Sequence, residues 1–123
     1  MKQVLLVFLG GGVGSTLRFL ASKWIQNPNT SFPFSTFLVN ILGSLFISIL
    51  ISLASKQQGL SESQTLLLVT GFCGGFTTFS AFTYENVSLI KSGDFLNFSL
   101  YTLGSIIFGI AAVYAGLYLS KSL

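Results

Sequence analysis

Thr70-Gly71-Phe72-Cys73-Gly74-Gly75-Phe76-Thr77-Thr78-Phe79-Ser80-Ala81-Phe82-Thr83-Tyr84-Glu85 lies midway along the third of four long apolar runs, and its reading decides the fold. Adjacent Gly74 and Gly75 each cost a helix about 1 kcal/mol relative to Ala, and the β-branched pair Thr77 and Thr78 follows, so the stretch predicts a local break. From a helix start at Ser61-Glu62-Ser63-Gln64 to about Ile90 the run is close to 29 residues, or about 43 Å as unbroken helix, against about 30 Å of hydrocarbon. A break removes the excess. Non-helical backbone at such depth persists only where protein buries it or where it lines a cavity, and its freed carbonyls then need partners. A cation is one partner that carbonyls can hold.

Phe76, Phe79 and Phe82 repeat at i, i+3 and i+6, with Thr78, Ser80 and Thr83 interleaved. Phenylalanine supplies 13 of 123 residues, and an aromatic row is ordinarily core. Beside a break and among hydroxyls there is a second reading, because the partly positive ring edge of Phe attracts an anion without a fixed counter-charge.

Outward from this stretch the chain is 51% hydrophobic and only 7% charged, with a mean hydropathy of +0.79. A typical soluble domain carries about 25% charged residues, so this is a membrane protein. Apart from Arg18 and Glu85, the charges (Lys2, Lys23, Lys56, Glu62, Lys91, Asp94 and Lys121) sit in or beside polar breaks. The breaks delimit an all-α, single four-span transmembrane domain with spans at about 4–24, 34–54, 63–90 and 95–119, and both termini on one side. The first span is not read as a cleaved signal peptide, because no small-residue cleavage site stands out and three similar spans follow. Lys2, Lys56 and Lys121 on the terminal side face Lys23 and Lys91 on the other, joined by Arg18 if it reaches the interface. So flat a bias predicts insertion in both orientations, which makes an inverted pair a natural dimer.

With no His, one Cys and three carboxylates, a His-based triad, a Cys/His metal site and a close acid cluster are all excluded, and no enzyme is expected. Cys73 has no partner within its own chain and says nothing about redox compartment. The net charge of +3 is too diffuse for a nucleic-acid footprint.

Measured from the side opposite the termini, Arg18, Asn40, Glu85 and Tyr101 each lie about six residues into their spans, and Ser105 about ten, which places a polar layer roughly 9 Å deep. Charges at that depth either satisfy each other as an ion pair or mark an ion or substrate path. In the second span Thr36, Asn40, Ser44, Ser48 and Ser52 recur at every fourth position. Ser44, Ser48 and Ser52 read as helix packing, whereas the Asn40 amide cannot satisfy itself within its own helix and reads as polar lining. Gly10 and Gly14, with Ser105, Gly109, Ala112 and Gly116, follow the small-residue spacing of close helix contacts, and Gly14 could also make room for Arg18.

Taken together, Gly71 to Glu85 with its core Gly74-Gly75-Phe76-Thr77-Thr78-Phe79-Ser80, Gly10-Gly11-Gly12-Val13-Gly14 followed by Arg18, and Val39-Asn40 with Gly43 resemble the Fluc/CrcB fluoride channels over the whole chain. The resemblance implies a dual-topology antiparallel homodimer in the cell membrane of a bacterium, surrounded by lipid, with two fluoride pores and one central structural sodium ion, passively exporting fluoride. By position it implies Phe79 and Phe82 as pore phenylalanines and Asn40 as the polar residue near them. Thr83, Glu85, Tyr101 and Ser105 correspond to the polar track and its neighbours, Arg18 to the vestibule arginine, and Gly74 and Thr77 to the pair whose main-chain carbonyls ligate sodium. One departure is Gly109, where a second track hydroxyl is expected one turn after Ser105. Two other readings of the layout are a small multidrug-type proton-coupled exporter, for which the only intramembrane acid is the off-centre Glu85, and a non-transporting membrane scaffold.

Overall fold

The computed structural model describes residues 1–123, and every regular element in it is helical. Helix α1 (Lys2–Trp24) is followed by α2 (Phe34–Ala54). A composite helix then begins with α3 (Glu62–Thr65), widens into a π-helical segment π1 (Leu66–Cys73) and closes with the single turn α4 (Gly74–Phe76). Helices α5 (Phe79–Lys91) and α6 (Phe95–Ser120) complete the chain. α1, α2, the stretch from α3 to α5, and α6 are each long and apolar enough to cross a membrane.

Local chemistry sets the ends. Ser61 caps α3 in a reciprocal pair with Gln64, whose side chain returns to the Ser61 N–H. At the other end of this crossing Gly93 takes φ 77°, and Gly93 N–H and Asp94 N–H bond back to Ile90 and Leu89 carbonyls. That turn needs a left-handed residue, and Gly adopts it without strain. Asp94 then caps α6 through the Asn97 N–H.

The helices pack as two pairs. Along α1, a Cβ on Gly10 or Gly14 would fall onto the backbone of Leu67 and Phe72, and one on Gly75 onto the backbone of Gly11. Glycine on both faces therefore lets α1 and the π1–α4 segment meet backbone to backbone. α2 lies along α6, where Gly116 admits Ser48, and Ser120 Oγ donates to Ser52 Oγ at 2.7 Å. Gly10 and Gly14 thus serve the contact with π1, and Gly14 is filled by the Phe72 and Phe76 backbone rather than leaving room for Arg18.

Between α4 and α5 the backbone leaves the helix for two residues, Thr77 at φ −85°, ψ 157° and Thr78 at φ −149°, ψ 122°. Gly74 and Gly75, the residues whose low propensity suggested a break, are themselves helical, with Gly74 at φ −63°, ψ −36°. Gly75 is explained by its contact with Gly11, and the extended residues are the two threonines.

Candidate functional site

The extended pair is held by side chains. In a continuing helix the N–H of Thr78 would return to the carbonyl of Gly74, and that of Ala81 to Thr77. Instead Thr78 N–H donates to Asn40 Oδ1 at 2.8 Å, and Ala81 N–H donates to Thr78 Oγ1 at 3.2 Å as the cap of α5. Asn40 Nδ2 in turn donates to the Thr78 carbonyl at 3.1 Å. One carboxamide on α2 so matches both polar groups of one extended residue, and the helical donors of the Gly74 and Thr77 carbonyls go elsewhere. The Thr77 hydroxyl stays local, donating to the Cys73 carbonyl at 2.9 Å.

Directly beside this segment lies a groove of ≈ 380 Å³, whose walls include Asn40, Ser44, Thr78, Phe79, Phe82 and Ser105. The rings of Phe79 and Phe82 stand 5.9 Å apart, and Phe82 meets Tyr101 at 5.1 Å with planes inclined by 60°. Ser105 Oγ is buried in the wall and has no hydrogen-bond partner, so it presents an unused donor. Phe79 is 76% exposed, and the groove is therefore open on that side of the protomer. Ser44 lies across from Gly109, with its hydroxyl 3.9 Å from where a Cβ would stand, so α2 supplies a hydroxyl at the level where α6 has glycine. That hydroxyl donates to the Asn40 carbonyl at 2.8 Å.

Behind Phe82, outside the groove's lining, Tyr101 packs on its ring and bonds Glu85. The Glu85 carboxylate accepts from Thr36 Oγ1 and from Tyr101 OH, each at 3.0 Å, and the Tyr101 side chain is fully buried. One residue further along, Asn86 Nδ2 donates to the Phe82 carbonyl and Asn86 Oδ1 accepts from Thr102 Oγ1, each at 3.0 Å.

The structure therefore brings Asn40, Phe79, Phe82 and Ser105 to one groove, with Glu85 and Tyr101 behind it. Thr83 is exposed and turns its hydroxyl back to the Ser80 carbonyl. Arg18 does not join them, because α1 packs against π1 and α4 and forms no wall of the groove. Its Nε donates instead to the Gly75 carbonyl at 3.1 Å, beside Ser15 Oγ at 3.3 Å, so the ion pair with Glu85 does not form. Gly74 is exposed, and no atom lies within 4 Å of where its Cβ would be. The stripe on α2 divides in its contacts: Asn40 and Ser44 line the groove and Thr36 bonds Glu85, whereas Ser48 and Ser52 pack against α6. Sequence reasoning missed Asn86 and Thr102, although an amide within a span always needs a partner.

The family model described as CrcB-like protein, Camphor Resistance (CrcB), matches residues 5–117. A fluoride-specific ion channel FluC of Gloeothece citriformis is 49% identical over 123 residues, spanning 98% of both chains. Proteins of the same name from Chlorobaculum tepidum and Azobacteroides pseudotrichonymphae are 47% and 46% identical; the alignments span 98% of this chain and 96% and 98% of theirs.

Proposed function

This chain belongs to the CrcB-like family, and from that premise we propose that it is a passive fluoride channel, not an enzyme, working as an antiparallel homodimer in the bacterial plasma membrane. The observation that carries the proposal is the groove in which the Phe79 and Phe82 rings converge with the unpartnered Ser105 hydroxyl, beside an extended segment at membrane depth.

Fluoride is costly to strip of water, since even a carboxylate-sized ion carries an idealised penalty of order 20 kcal/mol. A pathway for it must replace the hydration shell in small steps. Ser105 offers a free O–H, the Asn40 amide retains one N–H beyond its bond to Thr78, and the two rings offer their edges. Several weak positions in series let an ion both enter and leave. Glu85, bonded to Thr36 and Tyr101, fixes the Tyr101 ring against Phe82 and so steadies that wall. A second copy against the exposed Phe79 side would close the groove, and two copies would give two pores.

No three His, Cys, Asp or Glu side chains gather anywhere, so a cation in this chain depends on main-chain and hydroxyl oxygens. The carbonyls of Gly74 and Thr77, deprived of their helical donors, and the open surface at Gly74 fit that requirement. Sodium bound there would neutralise these acceptors, join two copies and raise the local potential for an anion.

Purified protein in liposomes, loaded with fluoride and given an ionophore to carry the counter-current, tests the reading. Fluoride efflux far faster than chloride efflux, without an imposed proton gradient, is expected. Proton-coupled uptake of a cationic drug, or no flux of any kind, would overturn it.

A further inference from the structure

Helix α5 carries both groove rings, yet little of it is packed. Of its residues only Asn86 and Leu89 are buried, and Phe79, Tyr84, Val87 and Ile90 are all exposed. It contains no glycine, and so lacks the backbone-to-backbone seating that fixes π1 and α4 on α1. Directional bonds must set its place instead. At its first turn these are the bonds from Thr78, and further along they are the pairs Glu85 with Tyr101 and Asn86 with Thr102.

No member of either pair lines the groove, but the second is neutral and joins α5 to α6 through a single buried amide. Asn86 is 8% exposed, and its two ends lead to the two walls. Nδ2 holds the carbonyl of Phe82, the residue whose ring forms one wall, while Oδ1 holds Thr102, one turn from Ser105 on the other. A buried amide with both ends engaged at a helix contact fixes register, because any slip leaves a donor or an acceptor unmatched.

We propose that Asn86, acting through Thr102, is a positioning residue that sets the gap between the Phe82 ring and the Ser105 hydroxyl, and with it the size of anion that passes. The proposal rests on the channel reading above. Loss of the Thr102 donor frees α5 to move from α6, and the widened groove then admits a larger halide.

Thr102→Val keeps the shape of the side chain and deletes the donor, Thr102→Ser keeps the donor, and Asn86→Leu deletes both bonds. Each is reconstituted and assayed for fluoride and chloride efflux side by side, and the carbonyl carbon of labelled Phe82 is followed by NMR. Thr102→Val and Asn86→Leu are expected to lower the fluoride-to-chloride ratio about tenfold, the factor that one ordinary hydrogen bond commands, and to shift the Phe82 carbonyl resonance. Thr102→Ser is expected to restore both. An unchanged ratio in Thr102→Val, equal loss in Thr102→Val and Thr102→Ser, or assembly of Thr102→Ser alone would overturn the proposal, the last because the pair would then serve folding and not selectivity. Absence of fluoride flux in the unmutated protein would instead overturn the channel reading, and the Phe82 resonance would still decide whether Thr102 reaches that residue.

Discussion

Asn40 meets Thr78 with both ends of its side chain, much as one strand meets another, and this is what lets two residues leave the helix inside a membrane protein. Replacing Asn40 by Leu leaves the Thr78 N–H and carbonyl unmatched, at about 1–3 kcal/mol for each buried group. A clear fall in the thermal midpoint of the purified protein is expected, together with loss of fluoride efflux. Phe79→Ile and Phe82→Ile keep hydrophobicity and most of the bulk but remove the ring edge, so both are expected to fold normally and to slow fluoride efflux by about tenfold or more. Normal efflux in both would refute the role given to the rings. These residues were legible in the sequence because spacing and depth agreed: the rings recur every third residue, and Asn40 is an amide where its own helix cannot satisfy it. Asn86 was hidden by its neighbour, since the charge of Glu85 drew the reading, and nothing in the order of residues says that Thr102 comes within reach. Arg18 shares the depth of Asn40 but stands outside the groove, because depth along a helix is readable from sequence, whereas the direction in which that helix faces is not.

Among the elements, the composite third crossing departs most from what propensity suggests. Gly74 and Gly75 read as helix breakers, but a glycine in a helix can equally mark a close approach, and the partner surface that distinguishes the two cases lies far away in sequence at Gly11. The residues that do leave the helix, Thr77 and Thr78, carry a weaker local signal completed by the hydroxyl cap of Thr78 and by Asn40. The widened turn at Leu66–Cys73 had no recognisable signature in an apolar run. This division yields a contrast between neighbours. Gly75→Ala drives a methyl group into the α1 backbone and is expected to abolish folded protein, whereas Gly74→Ala meets nothing within one protomer and is expected to leave it folded. Size-exclusion chromatography and circular dichroism distinguish them. At the α5–α6 turn, hydrogen bonds from Ser31 and Asn97 hold the Asp94 carboxyl below its ordinary range. Because its folded value is depressed, the ionised cap stabilises fully above the ordinary carboxylate range near 4 and is lost only as the pH falls below it. The thermal midpoint of Asp94→Ala is therefore expected to lie below that of the unmutated protein at pH 7, and the gap to close in acid.

For the molecule as a whole, the span layout was readable from composition and from the positions of the charges, because both follow from the cost of polar groups in hydrocarbon. The pairing of α1 with π1 and α4, and of α2 with α6, was not, since small-residue spacing shows that a helix approaches something without naming what. If two copies share a cation at the Gly74 and Thr77 carbonyls, binding to the assembled state stabilises it by mass action. Exchange of sodium for a large organic cation is then expected to lower the temperature at which the dimer dissociates, and restored sodium to recover it; identical dissociation in both solutions would count against the carbonyl site. The two halves of the third crossing are secured by different forces. Ahead of Thr77 the hold is interlocking shape, which is indifferent to the surrounding solvent, while beyond it the hold is a handful of polar bonds that intruding water can replace. Harsh short-chain detergents, which admit moisture between helices, should consequently silence conduction well before they separate α1 from π1 and α4, so that an apparently intact preparation can already be inert.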